Sequence, residues 1–418
     1  MSIREFRKAG DPPTLISAFL YFDVSFMVWV ILGPLGPFIG DAYHLSPSQK
    51  GLLTALPLLG GSLFRPVLGW MTERIGGRKT GLIGMALTIV PLIWGWQFAH
   101  NFYDFLGVGL LLGVSGASFA AALPLASGWY PAEYQGLAMG IAGAGNSGTL
   151  FATLFAPRLA QALGWRSVLA FALVPVALVW LLFFFLAKDA PIARPVRKWA
   201  DYAAILKIPD TGWFCLLYSL TFGGFVGLTS YLSIFFHDQY HLSKVQSGDF
   251  TTVVVLFGSF LRPVGGVLSD RIGGYRMLAV LLSGACLTMF GVASLPPAAL
   301  ALALLALGMG MLGMGNGAVF QLVPQRFASS VGIMTGIVGA AGGLGGFFLP
   351  SILGFVKQRT GSFGIGFACL ALILLGGSAC LLYLRRIWQT TWPAEAAQRA
   401  GLTNSKTAED VRAYATNA

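Results

Sequence analysis

Two arginines, Arg65 and Arg262, each interrupt a long apolar run (51–73 and 248–270) as its only basic residue. Burying a guanidinium there is costly, so such a charge faces a cavity or a partner and marks a path for a solute or ion. The partner would have to be a carboxylate. Only Asp23 lies clearly inside an apolar run, with Asp249 near the end of another and Asp104 at a boundary. Two guanidinium groups against at most one mid-depth carboxylate leave net positive charge, which points to an anion site; an internal salt bridge is the alternative. Arginine offers coplanar paired donors and also stacks on rings. A pair of them among aromatic faces suits a small, flat, delocalised anion.

The elements that must position these residues are membrane spans. The 418-residue chain is 56% hydrophobic and only 10% charged, where ordinary soluble domains carry roughly 25% charge. Apolar blocks of about 20 residues, the length that crosses a bilayer, fall at 15–39, 51–73, 79–99, 104–129, 136–156 and 167–187, then at 211–236, 248–270, 276–295, 298–322, 331–354 and 363–386. Long runs of this kind exclude an outer-membrane barrel, whose strands alternate. The four cysteines all lie in apolar blocks, so no disulfide framework is implied. The first block is too long for a cleaved signal peptide. The expected organisation is therefore an all-α membrane protein with an N-terminal six-helix bundle (1–187), a cytoplasmic linker (188–210), a C-terminal six-helix bundle (211–388) and a cytoplasmic tail (389–418), the tail forming a short helix or remaining disordered.

Placing the basic residues explains the net charge of +11. With the N-terminus inside, 19 of the 27 fall on the cytoplasmic side and six outside, as the positive-inside rule requires, so both termini are expected in the cytoplasm. The charge then needs no nucleic-acid partner. The two residues left over are Arg65 and Arg262.

These two are mates in an internal repeat of offset 197 residues. DAYHLSPSQKG (41–51) matches DQYHLSKVQSG (238–248), and FRPVLGWMTERIGGR (64–78) matches LRPVGGVLSDRIGGY (261–275). Arg65 stands eight residues before Glu73 and Arg262 eight before Asp270, about 12 Å from that membrane face at 1.5 Å per residue. Phe119, Asn146, Tyr218, Phe222 and Asp23 fall at about 10 to 17 Å by the same count, forming one layer. Two glycine-rich helices, GIAGAGNSG (140–148, with Gly143, Gly145 and Gly148) and GIVGAAGGLGGFFLP (336–350, with Gly339, Gly342, Gly343 and Gly345), would let helices approach closely and slide. Asn146 adds the one amide of the first, a donor within reach of an oxyanion, whereas the repeat places Gly343 at the matching position. The histidines show no metal-ligand spacing.

The repeated loop holding Glu73 and Arg74, then Asp270 and Arg271, resembles the cytoplasmic signature of the major facilitator superfamily, where acid and base at helix ends latch the two halves. The whole transmembrane portion is similar to the nitrate/nitrite porter family within it. The likeness rests on FDVSFMVWVILGPLGP (22–37), the single arginine of spans two and eight, GASFAAAL (116–123), both glycine-rich helices and LLYSLTFGGF (216–225). The resemblance implies a monomeric secondary transporter of nitrate, with nitrite as a further substrate, in the cytoplasmic (inner) membrane, without cofactor. It implies that Arg65 and Arg262 clamp the anion, that Phe119, Tyr218 and Phe222 pack around it, and that Asn146 gives a hydrogen bond. Exchangers of nitrate for nitrite are thought to lack a titratable core acid, so Asp23 suggests symport with protons: protonating it would favour anion binding, and the reverse. Its alternatives are a fixed partner for one arginine, or a cap on a local backbone break. Exchange, a porter of another small anion, and a transporter-like anion sensor are the competing functions. An enzyme is not expected, because no nucleophile, base or metal constellation is visible.

Overall fold

A computed structural model describes residues 3–190 and 199–403 of the chain. Residues 191–198 of the expected linker and 404–418 of the expected tail lie outside the described residues. The described residues are helical throughout, with eleven helices long and apolar enough to cross a membrane: Pro12–Ala42, Pro47–Ile75, Gly77–Phe98, Phe102–Ser127, Trp165–Leu186, Pro209–Tyr240, Lys244–Ile272, Gly274–Ala293, Ala298–Arg326, Val331–Thr360 and Phe363–Thr391. The twelfth expected span, fifth in order, is interrupted. It consists of Ala132–Gly143, a 3-10 turn at Ala144–Ser147, and Gly148–Leu163. Glycines at 140, 143, 145 and 148 weaken a helix by about 1 kcal/mol each relative to alanine.

The spans run past their apolar blocks because their ends are capped in polar sequence. Ser46 and Gln49 form a capping box at the second span, and their repeat mates Ser243 and Gln246 form another at the eighth. Gly76 and Gly273, both at φ +88°, end those spans, a conformation that side chains resist. The two loops are braced differently. Arg78 N–H donates to Asp189 (2.9 Å), whereas Tyr275 N–H donates to the carbonyl of Ala400 (3.0 Å), in a tail that folds as the short helix Ala394–Arg399. His44 and His241, expected at loop starts, take left-handed φ values of +50° and +53°.

The first, fourth and seventh spans are the innermost. Of their most apolar windows 72%, 72% and 89% is buried, against 33% in the sixth and eighth. Side chains such as Leu287, Phe185 and Leu382 stand exposed on outward faces, as lipid-facing positions do. The halves meet where the second span packs on the eleventh and the eighth on the fifth. A Cβ on Gly51 would lie 2.5 Å from the carbonyl of Pro350, and one on its repeat mate Gly248 2.7 Å from that of Thr153. Pro350 and Thr153 are themselves mates at the same offset. Both contacts are near the face away from the termini. Three ion pairs bridge the halves there: Lys50–Asp238 (2.8 Å), Arg158–Asp249 (2.7 Å) and Lys244–Asp41. The remaining ion pair found among the described residues, Arg326–Asp210, lies within the second half.

Candidate functional site

The site is built where four helices depart from regular α geometry. The first span breaks after Trp29, the fourth turns at Ala117–Ser118, the fifth carries its 3-10 turn, and the seventh contains a π-turn at Ser219–Gly223. Such irregularities release backbone groups from the i→i−4 ladder. In the fourth span Ala120 N–H bonds Ala117 rather than Gly116. The Gly116 carbonyl is thereby left to accept Arg65 Nε at 3.2 Å.

Arg65 is buried. Its Nη1 donates to the carbonyl of Gly339, across the boundary between halves, and its guanidinium lies 5.5 Å from the Trp29 ring, 5.7 Å from Phe119 and 5.2 Å from Phe222. Each such contact contributes about 0.5–2 kcal/mol. One turn earlier, Ser62 Oγ donates to the carbonyl of Ala340 at 2.6 Å. The bare backbone of the eleventh helix makes this possible: a Cβ on Gly339 would be 3.4 Å from Arg65 Nη1, and one on Gly343 3.3 Å from Ser62.

Arg262 is half-buried, and its Nη1 is buried without a hydrogen-bond partner. The two arginines repel one another, and both interact electrostatically with Tyr218, whose hydroxyl faces Arg262. Neither arginine belongs to an ion pair among the described residues. Tyr218 stacks on Phe222 with centroids 5.1 Å apart, made possible by Gly342, whose Cβ would fall 2.5 Å from the tyrosine ring. Gly345 similarly admits the Ser219 carbonyl. Phe320 meets both Tyr218 (4.9 Å) and Phe119 (6.2 Å), closing a ring-lined layer around the cations.

Asp23 and Asn146 stand together at the break in the fifth span. Asp23 accepts Ser147 Oγ at 2.7 Å. Gly145 and Gly148 pack directly on its backbone, while Gly143 faces open space. With its amide nitrogen turned to the local backbone, Asn146 donates to Gly143 (3.1 Å) and Ala144 (3.3 Å). In that orientation its N–H groups are directed at the backbone of the break.

Arg65, Arg262, Phe119, Tyr218 and Phe222 are therefore brought together, and Asp23 with Asn146 forms a neighbouring cluster. Among the described residues no ion pair links the four loop residues to one another. Glu73 accepts the Tyr202 hydroxyl (3.2 Å), Arg74 stacks on Trp70, and Asp270 and Arg271 are exposed. Trp29, Phe320 and the carbonyls of Gly116, Gly339 and Ala340 escape a reading of the sequence. The first two look like ordinary core aromatics, and a freed carbonyl has no sequence signature.

Comparison with known proteins identifies the family and the fold. The sequence profile of the Major Facilitator Superfamily matches residues 17–350. The chain is 35% identical over 365 residues to the nitrite extrusion protein of Bacillus subtilis (strain 168), covering 87% of this chain and 92% of that protein. It is 35% identical to the probable nitrate/nitrite transporter NarK2 of Mycobacterium tuberculosis (strain ATCC 25618 / H37Rv), covering 82% and 89%, and 33% identical to the probable nitrate transporter NarT of Staphylococcus carnosus (strain TM300), covering 83% and 89%. In fold it is similar to a D-xylose-proton symporter, with a TM-score of 0.73 at 16% identity over 92% of this chain and 98% of that one. It is likewise similar to the inward-open xylose transporter XylE from E. coli, with a TM-score of 0.72 at 14% identity over 88% and 95%. The chain belongs to the nitrate/nitrite porter family of the major facilitator superfamily.

Proposed function

We propose that the chain carries nitrate, and nitrite with it, across the cytoplasmic membrane by alternating access, with both termini in the cytoplasm and the anion held between Arg65 and Arg262. The observation that carries this reading is the convergence of one arginine from each half on Tyr218, in a ring-lined layer, with no carboxylate bonded to either. Guanidinium forks and ring faces fit a flat delocalised anion. An anion bridging arginines from opposite halves binds best when both close on it, which couples occupancy to rocking of the halves. The relatives described above, a nitrite extrusion protein, a probable nitrate/nitrite transporter and a probable nitrate transporter, support the choice of anion.

In this reading the coupling ion is the proton and Asp23 its carrier. Asp23 braces the 3-10 turn through Ser147, so protonating it weakens the brace at the helix that holds Asn146. That same bracing favours a second reading, in which Asp23 is a structural cap and nitrate exchanges against nitrite. Uptake into liposomes separates the two. With a nitrate gradient present, an imposed inward proton gradient drives accumulation under symport, and internal nitrite drives it under exchange. Proton-driven accumulation is expected to be lost in Asp23→Asn; if it persists unchanged, Asp23 is not the carrier. A wild-type protein that moves neither anion overturns the whole assignment.

A further inference from the structure

The tenth span carries a polar side chain that the site described above does not use. Asn316 is 1% exposed, and its Oδ1 has no hydrogen-bond partner. A buried amide oxygen without a partner is costly and calls for a reason.

Two independent observations locate it. On one side of it Gly315 packs against Thr221, in the π-turn that holds Phe222, and on the other Gly317 packs against the backbone of Arg262, where a Cβ would lie 2.7 Å from the Arg262 carbonyl oxygen. Asn316 therefore stands at the junction of the seventh and eighth spans. Phe320, four residues on and so on the same helix face, touches Tyr218 and Phe119. The repeat supplies the second observation. At the offset of 197, Asn316 is the mate of Phe119, the ring that lies 5.7 Å from the Arg65 guanidinium. The second half thus places an amide where the first places a phenyl ring, on the helix packed against the backbone of the arginine whose Nη1 is unpartnered.

We infer that Asn316 is a specificity-determining residue of the anion site, its amide hydrogen-bonding the oxygen edge that the two guanidinium groups leave open. The inference rests on the nitrate reading given above. A planar three-oxygen anion has three O···O edges, and two guanidinium forks cover two of them. The third needs a neutral donor, since a third cation would be repelled. A bent two-oxygen anion has a single such edge and leaves the amide nothing to hold. The buried Oδ1 can accept from Arg262 Nη1 and fix that fork while Nδ2 donates to the anion. Asn146, whose N–H groups are both taken by backbone carbonyls, is not free for this task.

The test is calorimetric binding and liposome uptake of nitrate and nitrite by the full chain, comparing wild type with Asn316→Leu, nearly isosteric without hydrogen bonds, and Asn316→Ser, which keeps a donor. For Asn316→Leu the nitrate Kd and KM should rise about tenfold, the loss of one hydrogen bond to a charged group, while the nitrite values change less than twofold; Asn316→Ser should fall between. Equal losses for both anions, or no loss for nitrate, overturn the assignment to Asn316 alone. Wild-type protein that binds neither anion overturns the functional reading and this one with it. If Asn316→Leu does not give a monodisperse protein, Asn316→Ser is judged by the same ratio of nitrate to nitrite effects.

Discussion

The two halves descend from one repeat, yet their central arginines are in opposite states. In the first half Arg65 bonds the carbonyls of Gly116 and Gly339, and Ser62, one turn earlier, bonds Ala340. In the second half Arg262 has a buried Nη1 without a partner, and Ser259, the mate of Ser62, has a buried hydroxyl without one. For the serines, one position distinguishes the halves. By the 197-residue offset the carbonyl that Ser259 would take is that of Gly143, and Asn146 already donates to it. The eleventh helix has Gly343 at the place of Asn146, so the Ala340 carbonyl stays free for Ser62. That amide bears on the serines alone: the carbonyls that Arg65 takes, of Gly116 and Gly339, have their mates at Gly313 and Ala142, which Asn146 does not reach.

If that asymmetry matters for transport, the two arginines answer differently to the same substitution. Lysine keeps the charge and removes the fork. Arg262→Lys is expected to raise the nitrate KM by about tenfold to a hundredfold, the range for losing a hydrogen bond to a charged group. Arg65→Lys disturbs the bond to Gly339 that joins the halves in this conformation, so kcat should change more than KM. Uptake kinetics in liposomes check both. Equal KM shifts in the two variants show that the unpartnered state of Arg262 has no functional meaning.

The contrast also shows which features a sequence carries. Arg65, Arg262 and the repeat were legible because a charge in an apolar run and a matched string of letters need no structure to be seen. The aromatic layer followed from depth along each helix, since Phe119, Tyr218 and Phe222 fall at the arginines' level whatever their rotamers. Asn146 was read as a donor to the anion in a continuous helix; the direction of its N–H groups depends on which carbonyls a 3-10 turn exposes, and the sequence does not show that turn. Asn316 was not read at all: an amide in a span of mostly small and apolar residues has no periodic signal, and only its burial and its empty Oδ1 mark it. The loop residues Glu73, Arg74, Asp270 and Arg271 were legible as a motif, but whether two loops meet is a property of conformation.

Away from the termini the halves look nearly symmetric, and there the comparison can be sharpened. Asp238 and its repeat mate Asp41 each pair with a lysine near the start of the opposite half's long helix, Lys50 and Lys244. The side chains of the first pair are 12% and 20% exposed, those of the second 27% and 56%. An exposed pair contributes about 0–1 kcal/mol, and breaking a drier one costs more because a charge is left uncompensated. Asp238→Asn should therefore shift the population away from the conformation that holds these pairs by about fivefold, and Asp41→Asn by less than twofold. Distances between spin labels at His100 and Arg359, which lie in different halves on that face, report the populations. Equal shifts show that symmetry, and not burial, sets the strength of these pairs.

The smallest effect isolates the serines, whose difference has no charge in it. Ser62→Ala removes a 2.6 Å hydrogen bond that crosses between halves and leaves the Ala340 carbonyl without that donor, a loss of about 1 kcal/mol. Ser259→Ala removes a buried hydroxyl that has no partner, so it relieves a desolvation cost and loses no bond. For a chain of this size 1 kcal/mol corresponds to about 2 °C or less in the thermal midpoint. Ser62→Ala is expected to melt lower by that amount in detergent, and Ser259→Ala at or slightly above wild type. Saturating nitrate makes the comparison stricter: if Ser259 turns to the bound anion, Ser259→Ala should show a smaller ligand-induced rise in midpoint than wild type. Equal destabilisation by the two serine substitutions without ligand shows that Ser259 is bonded in solution. The unpartnered half of the site would then be a feature of this conformation alone, with no bearing on where the anion is held.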